Sequence, residues 1–200
     1  MALALPGCMG FWWFFAQDPL LTLLRFLTEP VVLGLMPDKI LGILTQDRVW
    51  LLKTSLSPID NPMNLLGIPI FTNRLTVSYP LLWGLILATP EPKRLRQLLL
   101  GTFSLLPVTV IMALLLIQFK LALNINHEPV LTEMPQGDYL LILPYASYQY
   151  YLMAVGRQLA MLVLPTLAPV AIWLILHREF IRAVVLEGLL SRSLEHSSHT

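Results

Sequence analysis

The sequence predicts an all-α polytopic membrane protein with about four transmembrane helices, a small extra-membrane β-hairpin and an amphipathic surface helix. Three observations carry that prediction. Hydrophobic residues make up 56% of the 200-residue chain and charged residues only 12%, with a mean hydropathy of +0.69; a soluble domain carries about 25% charged residues. Four apolar stretches approach the roughly 20 residues that a helix needs to cross a bilayer. Between the first and the second, residues 45–76 turn rich in strand formers and turn residues. The same composition excludes other classes. Disordered chains are polar and highly charged, and a nucleic-acid binder needs a basic excess that a net charge of +1 does not provide. One cysteine leaves no intramolecular disulfide and no cysteine-rich zinc site.

The first span is expected within residues 1–19, densest at Gly10-Phe11-Trp12-Trp13-Phe14-Phe15, with Asp18-Pro19 at the interface. Residues 20–44 are apolar but carry Arg25, Glu29, Asp38 and Lys39. Asp18, Arg25 and Glu29 lie seven and four apart and would share one helix face. Pro19, Pro30 and Pro37 argue against one straight helix, so 20–44 reads as an amphipathic helix lying on the membrane surface. The alternative is one long tilted span from about Gly10 to Met36.

Residues 48–56 and 68–77 are strand-like, separated by Ser57-Pro58-Ile59-Asp60-Asn61-Pro62. They predict a hairpin within 45–76 that is too small for a core of its own. It must therefore rest on the membrane or on another protein. Residues 77–176 hold the three remaining spans: about Val77–Ala88, Leu98–Leu123 with Pro107, and Tyr150–Leu176 with Pro165 and Pro169. The turn 90–97 between the first two is basic. The loop 124–147 is polar and acidic, and the tail 177–200 is basic and then polar.

Lys and Arg in short loops set orientation. The 91–97 turn has three, the tail three and the 45–76 segment three, whereas the 124–147 loop has none. The basic turn and the C-terminus are therefore expected in the cytoplasm. Four crossings bring the N-terminus there too and leave the hairpin and the acidic loop outside. In a bacterium this is the inner membrane. The first span lacks the basic segment of a cleavable signal peptide.

Arg157 is the first candidate for function, since an arginine inside a span costs about 2.5–3.5 kcal/mol at the bilayer centre and is paired or functional by default. It lies two turns from the start of its helix, within reach of the interface by snorkelling, and Asp18 is its expected partner across helices. Arg25 and Glu29 complete the set expected to pair within the membrane or to dock a partner. Cys8 reads as a buried inert thiol rather than a nucleophile or a lipidation site. His127, Glu128, Glu133 and Asp138 match no metal-ligand spacing, and His196 and His199 lie in a polar tail. Tyr145, Tyr148, Tyr150 and Tyr151 suit a membrane–water interface, as do Trp12 and Trp13. Span prolines can line transport sites, but no intramembrane acid pair accompanies them. Catalytic, metal and cofactor residues are expected to be none.

Three stretches carry a resemblance: Gly10–Pro19, Tyr79-Pro80-Leu81-Leu82-Trp83 through Thr89-Pro90 with its basic turn, and Gly156-Arg157-Gln158-Leu159 through Pro169-Val170 to Trp173-Leu174. In these the chain resembles the exosortase H-associated membrane proteins, small bacterial inner-membrane proteins encoded beside a sorting enzyme. Residues 120–147 lie outside the match. The resemblance implies a helper of the peptidase: exosortases use an outward-facing Cys, Arg and His set, and the expected topology here has no outward-facing Cys. The expected role is a non-enzymatic accessory subunit, its partners other integral membrane proteins and the lipid bilayer, with no nucleic acid and a hetero-oligomeric state. The rivals are an assembly or structural subunit of a bioenergetic or transport complex, and a membrane enzyme with its site near Arg157 and the 124–147 acids.

Overall fold

The computed structural model describes residues 4–60, 64–90, 93–127, 130–133 and 139–182. Helix α1 (Ala4–Phe11), a π-helical turn (Trp12–Ala16) and α2 (Gln17–Leu35) form one uninterrupted helical run, about 48 Å long. This corrects the helix bounds expected for 20–44: the helix continues from the first stretch through Asp18-Pro19 and ends at Leu35. Continuity matches the long-helix alternative, and only residues 36–39 end it. The physical reason lies in the π turn. A proline ring collides with the carbonyl four residues back, which for Pro19 is Phe15, inside the widened turn. The same device recurs at Pro165, whose i−4 residue Met161 lies in the π turn Leu159–Val163. The outer face of α2 is also not polar: Leu23, Phe26 and Leu35 are exposed, while Leu20, Leu24 and Val32 are buried.

Residues 40–44, expected to be helical, form strand β1 (Ile40–Gln46) together with the first two residues of the expected hairpin segment. A two-residue turn at Asp47-Arg48 leads into β2 (Val49–Thr54), with φ of 47° and 62°, the left-handed pair that a tight hairpin requires. Strand β4 (Gly67–Phe71) pairs antiparallel with β2, Val49 opposite Phe71 and Lys53 opposite Gly67. The expected hairpin is thus present, enlarged by β1 to the order β1-β2-β4. Its second strand stops at Phe71, and Asn73–Thr76 is a helical turn, α3. Alternate residues Trp50, Leu52, Ile68 and Ile70 are buried, packed in one core with Leu24 and Val32 of α2 and Leu116 and Leu121 further along the chain. The hairpin therefore rests on this chain's own helices.

Helix α4 (Ser78–Ala88) and α5 (Arg94–His127) follow, α5 carrying Pro107 within it. The loop expected over 124–147 is only partly a loop. Residues 124–127 finish α5, and Val130–Glu133 (β5) pairs with Tyr139–Ile142 (β6) and with Leu56–Pro58 (β3) in the order β3-β5-β6. Helix α6 (Ser147–Gln158), the second π turn and α7 (Leu164–Leu176) run on as one helix. Among the described residues two helices, 94–127 and 147–176, are long and apolar enough to cross a membrane. Of the tail, residues 177–182 are described; the rest, with His196 and His199, lies outside the described residues.

Candidate functional site

Antiparallel packing places α1 on α4. A Cβ on Gly84 would lie 2.8 Å from Leu5 Cδ1, and twelve residues later Gln17 Nε2 donates to Asn73 Oδ1 at 3.0 Å. At that end of α4, polar groups from four elements gather. Asp18 accepts from Arg48 Nε (2.7 Å) and Nη2 (3.2 Å), while Arg48 also stacks on Trp13 and donates to its carbonyl. Arg74 Nη1 lies 3.9 Å from Met161 Sδ in the second π turn. One helical turn from Met161, the Arg157 guanidinium sits 4.8 Å over the Phe119 ring, which in turn packs against Tyr150. Through Gln17–Asn73 and Arg74–Met161 these groups lie at one level along the helices, a polar belt.

The expected Asp18–Arg157 pair is not made. Asp18 is taken by Arg48, which the tight β1–β2 turn delivers to it, and Arg157 turns its guanidinium onto an aromatic face. Among the described residues only two ion pairs occur, and neither includes Arg157. Arg25 and Glu29 do pair, Nε to Oε2 at 3.3 Å, one turn apart on α2. The carboxylate has a second task that the sequence did not announce. Glu29 Oε1 accepts from the backbone N–H of Ile43 at 3.0 Å, tying α2 to the edge strand β1. Gly42 makes this approach possible, since a Cβ there would sit 3.2 Å from the same oxygen.

A second polar cluster closes the opposite end. Trp173 Nε1 donates to Thr89 Oγ1 at 2.9 Å, and His177 Nε2 lies 3.2 Å from Gln97 Oε1. The basic turn and the start of the tail therefore share one end. At the other end, β3 from the hairpin region joins β5 and β6 from the acidic loop. Each pairing brings together two segments that the charge count had assigned to one side.

The remaining candidates separate. Cys8 is buried and lines an apolar groove of about 700 Å³ with Phe11, Trp83, Leu98 and Phe103; no ionisable side chain lines it beside the thiol. His127 ends α5, exposed. Glu128 and Asp138 lie outside the described residues, as does the side chain of Glu133. Among the described residues, no three His, Cys, Asp or Glu side chains come together. Tyr145 accepts from Lys39 Nζ at 3.0 Å; Tyr148 and Tyr151 are exposed.

The sequence model of the family described as exosortase H-associated membrane protein matches residues 1–180. The chain belongs to the exosortase H-associated membrane protein family. No curated protein and no solved structure matches it. The family match runs through both π turns and the whole polar belt, including the sheets that the resemblance at residues 120–147 did not reach. In this family member Arg48, Arg74 and His177 are belt and end residues that sequence reasoning missed. Only Arg48 had a signal: next to Asp47, it opens the strand-like run 48–56.

Proposed function

We propose that this protein is a non-enzymatic accessory subunit of an inner-membrane complex serving an exosortase-type protein-sorting system. The observation that carries the reading is the family match over residues 1–180, whose description ties the chain to an exosortase and to the membrane. The arrangement of the belt supports a four-pass placement. Between the belt and the Thr89–His177 end run residues 4–17, 73–88, the first part of α5, and 159–176. At 1.5 Å per residue, 159–176 is about 27 Å long and the first part of α5 about 30 Å, close to the roughly 30 Å hydrocarbon. Residues 4–17 and 73–88, about 21 and 24 Å, fall short of it, a mismatch that local thinning and flanking interfacial groups would take up. Their outward side chains are apolar: Phe14 and Phe15, Phe103, Leu167 and Ile175 are exposed.

Beyond the belt stand both sheets, whose open strand edges have no place in hydrocarbon. The belt is then the outer interface. Arg48 on Trp13 and Arg157 on Phe119 are cations snorkelling beside aromatic rings, and both termini face the cytoplasm. The hetero-oligomeric state follows from the accessory role.

The test is co-purification of the full-length tagged chain with the exosortase encoded in the same genome, from native membranes in a mild detergent. Stoichiometric recovery of the exosortase supports the accessory role. Recovery in a bioenergetic or transport complex without it, or of the chain alone, overturns the sorting assignment.

A further inference from the structure

Four strand edges bound the two sheets, and three of them are guarded. The β1 edge is tied by Glu29, which takes the N–H of Ile43. The β4 edge carries Pro69, which has no N–H to offer. The β3 edge is occupied by Leu66, whose N–H donates to Leu56 O at 2.7 Å. The fourth edge, β6, has no neighbour beyond it among the described residues.

The register shows which of its backbone groups are free. Because Leu56 turns its carbonyl to Leu66, it faces away from β5, and the antiparallel alternation leaves Ser57 to bond Leu131. Val130 and Thr132 then face β6, where they meet Ile142 and Leu140. Leu141, between them, points its N–H and C=O outward. Its side chain is exposed, as are those of Leu140 and Leu143. Proteins blunt such an edge with lysine, proline or a bulge; β6 has none of these, and residues 124–147 contain no Lys or Arg. The placement proposed above also sets it outside the lipid. Leu115, against Gly156 beside Arg157, lies at the belt, and α5 continues about 18 Å beyond it to His127, just before β5.

We propose that β6 is a docking edge at which an extended segment of the exosortase partner adds to the β3-β5-β6 sheet as a fourth strand. Apolar side chains of that segment would lie over Leu140 and Leu141, while its backbone pairs with Leu141. The proposal rests on the accessory role argued above and adds the surface through which that role is exercised.

Leu141→Pro tests it, because it deletes the outward N–H and leaves the β5 ladder intact; the preceding residue is already extended, as a proline requires. The full-length chain is co-expressed with the exosortase of the same genome, as wild type, L141P and L141V. Wild type and L141V should retain the enzyme, and L141P should lose it at least tenfold while keeping its circular dichroism. Equal recovery with L141P overturns the edge proposal and leaves the accessory role standing. Failure of the wild type to recover the enzyme overturns the accessory role itself. Should L141P not fold, a photoreactive residue at position 141 decides. A crosslink to one contiguous exosortase segment supports the proposal. A crosslink to a second copy of this chain, or none to the co-purified enzyme, refutes it.

Discussion

Replacing Glu29 by alanine takes away two interactions of unequal worth, and the structure says which dominates. The bond from Ile43 N to Glu29 Oε1 is 3.0 Å long and has a charged acceptor, a class worth about 1.5–3 kcal/mol. The ion pair with Arg25 is an i,i+4 contact with both side chains about a third exposed, a class worth about 0.3–0.5 kcal/mol. Glu29→Ala should therefore destabilise the β1 edge by about 2–3 kcal/mol, and Arg25→Ala by about 0.5 kcal/mol or less. Glu29→Gln, which keeps an acceptor for Ile43, should fall between them. Native-state hydrogen exchange at the Ile43 amide reads this directly, since local opening of one edge is what it detects. At about 1.4 kcal/mol per factor of ten, Glu29→Ala should speed exchange roughly 30- to 100-fold, and Arg25→Ala about twofold. Equal acceleration by Glu29→Ala and Arg25→Ala would show that the ion pair, not the strand bond, holds α2 to the sheet. No acceleration by Glu29→Ala would remove the tie altogether.

Three other outcomes are expected. With Cys8 replaced by alanine, a cysteine at Met36 should label only from the periplasmic side and one at Leu95 only from the cytoplasm; labelling of both from one side refutes four passes. Gly84→Ala should shift stability by less than about 1 kcal/mol, since the contact a Cβ meets is the flexible end of Leu5. Gly84→Leu should cost about 1–3 kcal/mol by forcing α1 off α4, seen as a lower midpoint of thermal unfolding in detergent. A double-mutant cycle of Arg157→Gln with Phe119→Leu should give a coupling of about 0.5–2 kcal/mol. A coupling of zero would free Arg157 from its structural role.

Some of this architecture was legible residue by residue. The helices 78–88 and 147–176 form near the bounds expected for two of the apolar runs, because an unbroken apolar run bounded by turn residues suits a helix packed among other helices. The strands 49–54 and 67–71 appear because β-branched and aromatic alternation bounded by Pro and Asn suits little else. Charge counting put the hairpin with the acidic loop and the basic turn with the tail, and the pairings β3–β5 and Gln97–His177 unite the same partners.

What local sequence could not decide was how a chain accommodates a proline or chooses an ion partner. Pro19 looked like a helix end because its clash is local, but the π turn that relieves it is a property of the packed helix. Residues 40–44 looked like helix because their strand partner lies beyond a turn whose residues both adopt left-handed backbone. Asp18 had two candidate arginines, and proximity in three dimensions, set by that turn, chose Arg48 over Arg157. Composition by itself determined that this protein belongs to the membrane, because too little charge exists to face water. Only tertiary structure decided where the charges it does have meet, because ion pairs and strand edges join residues far apart in the chain.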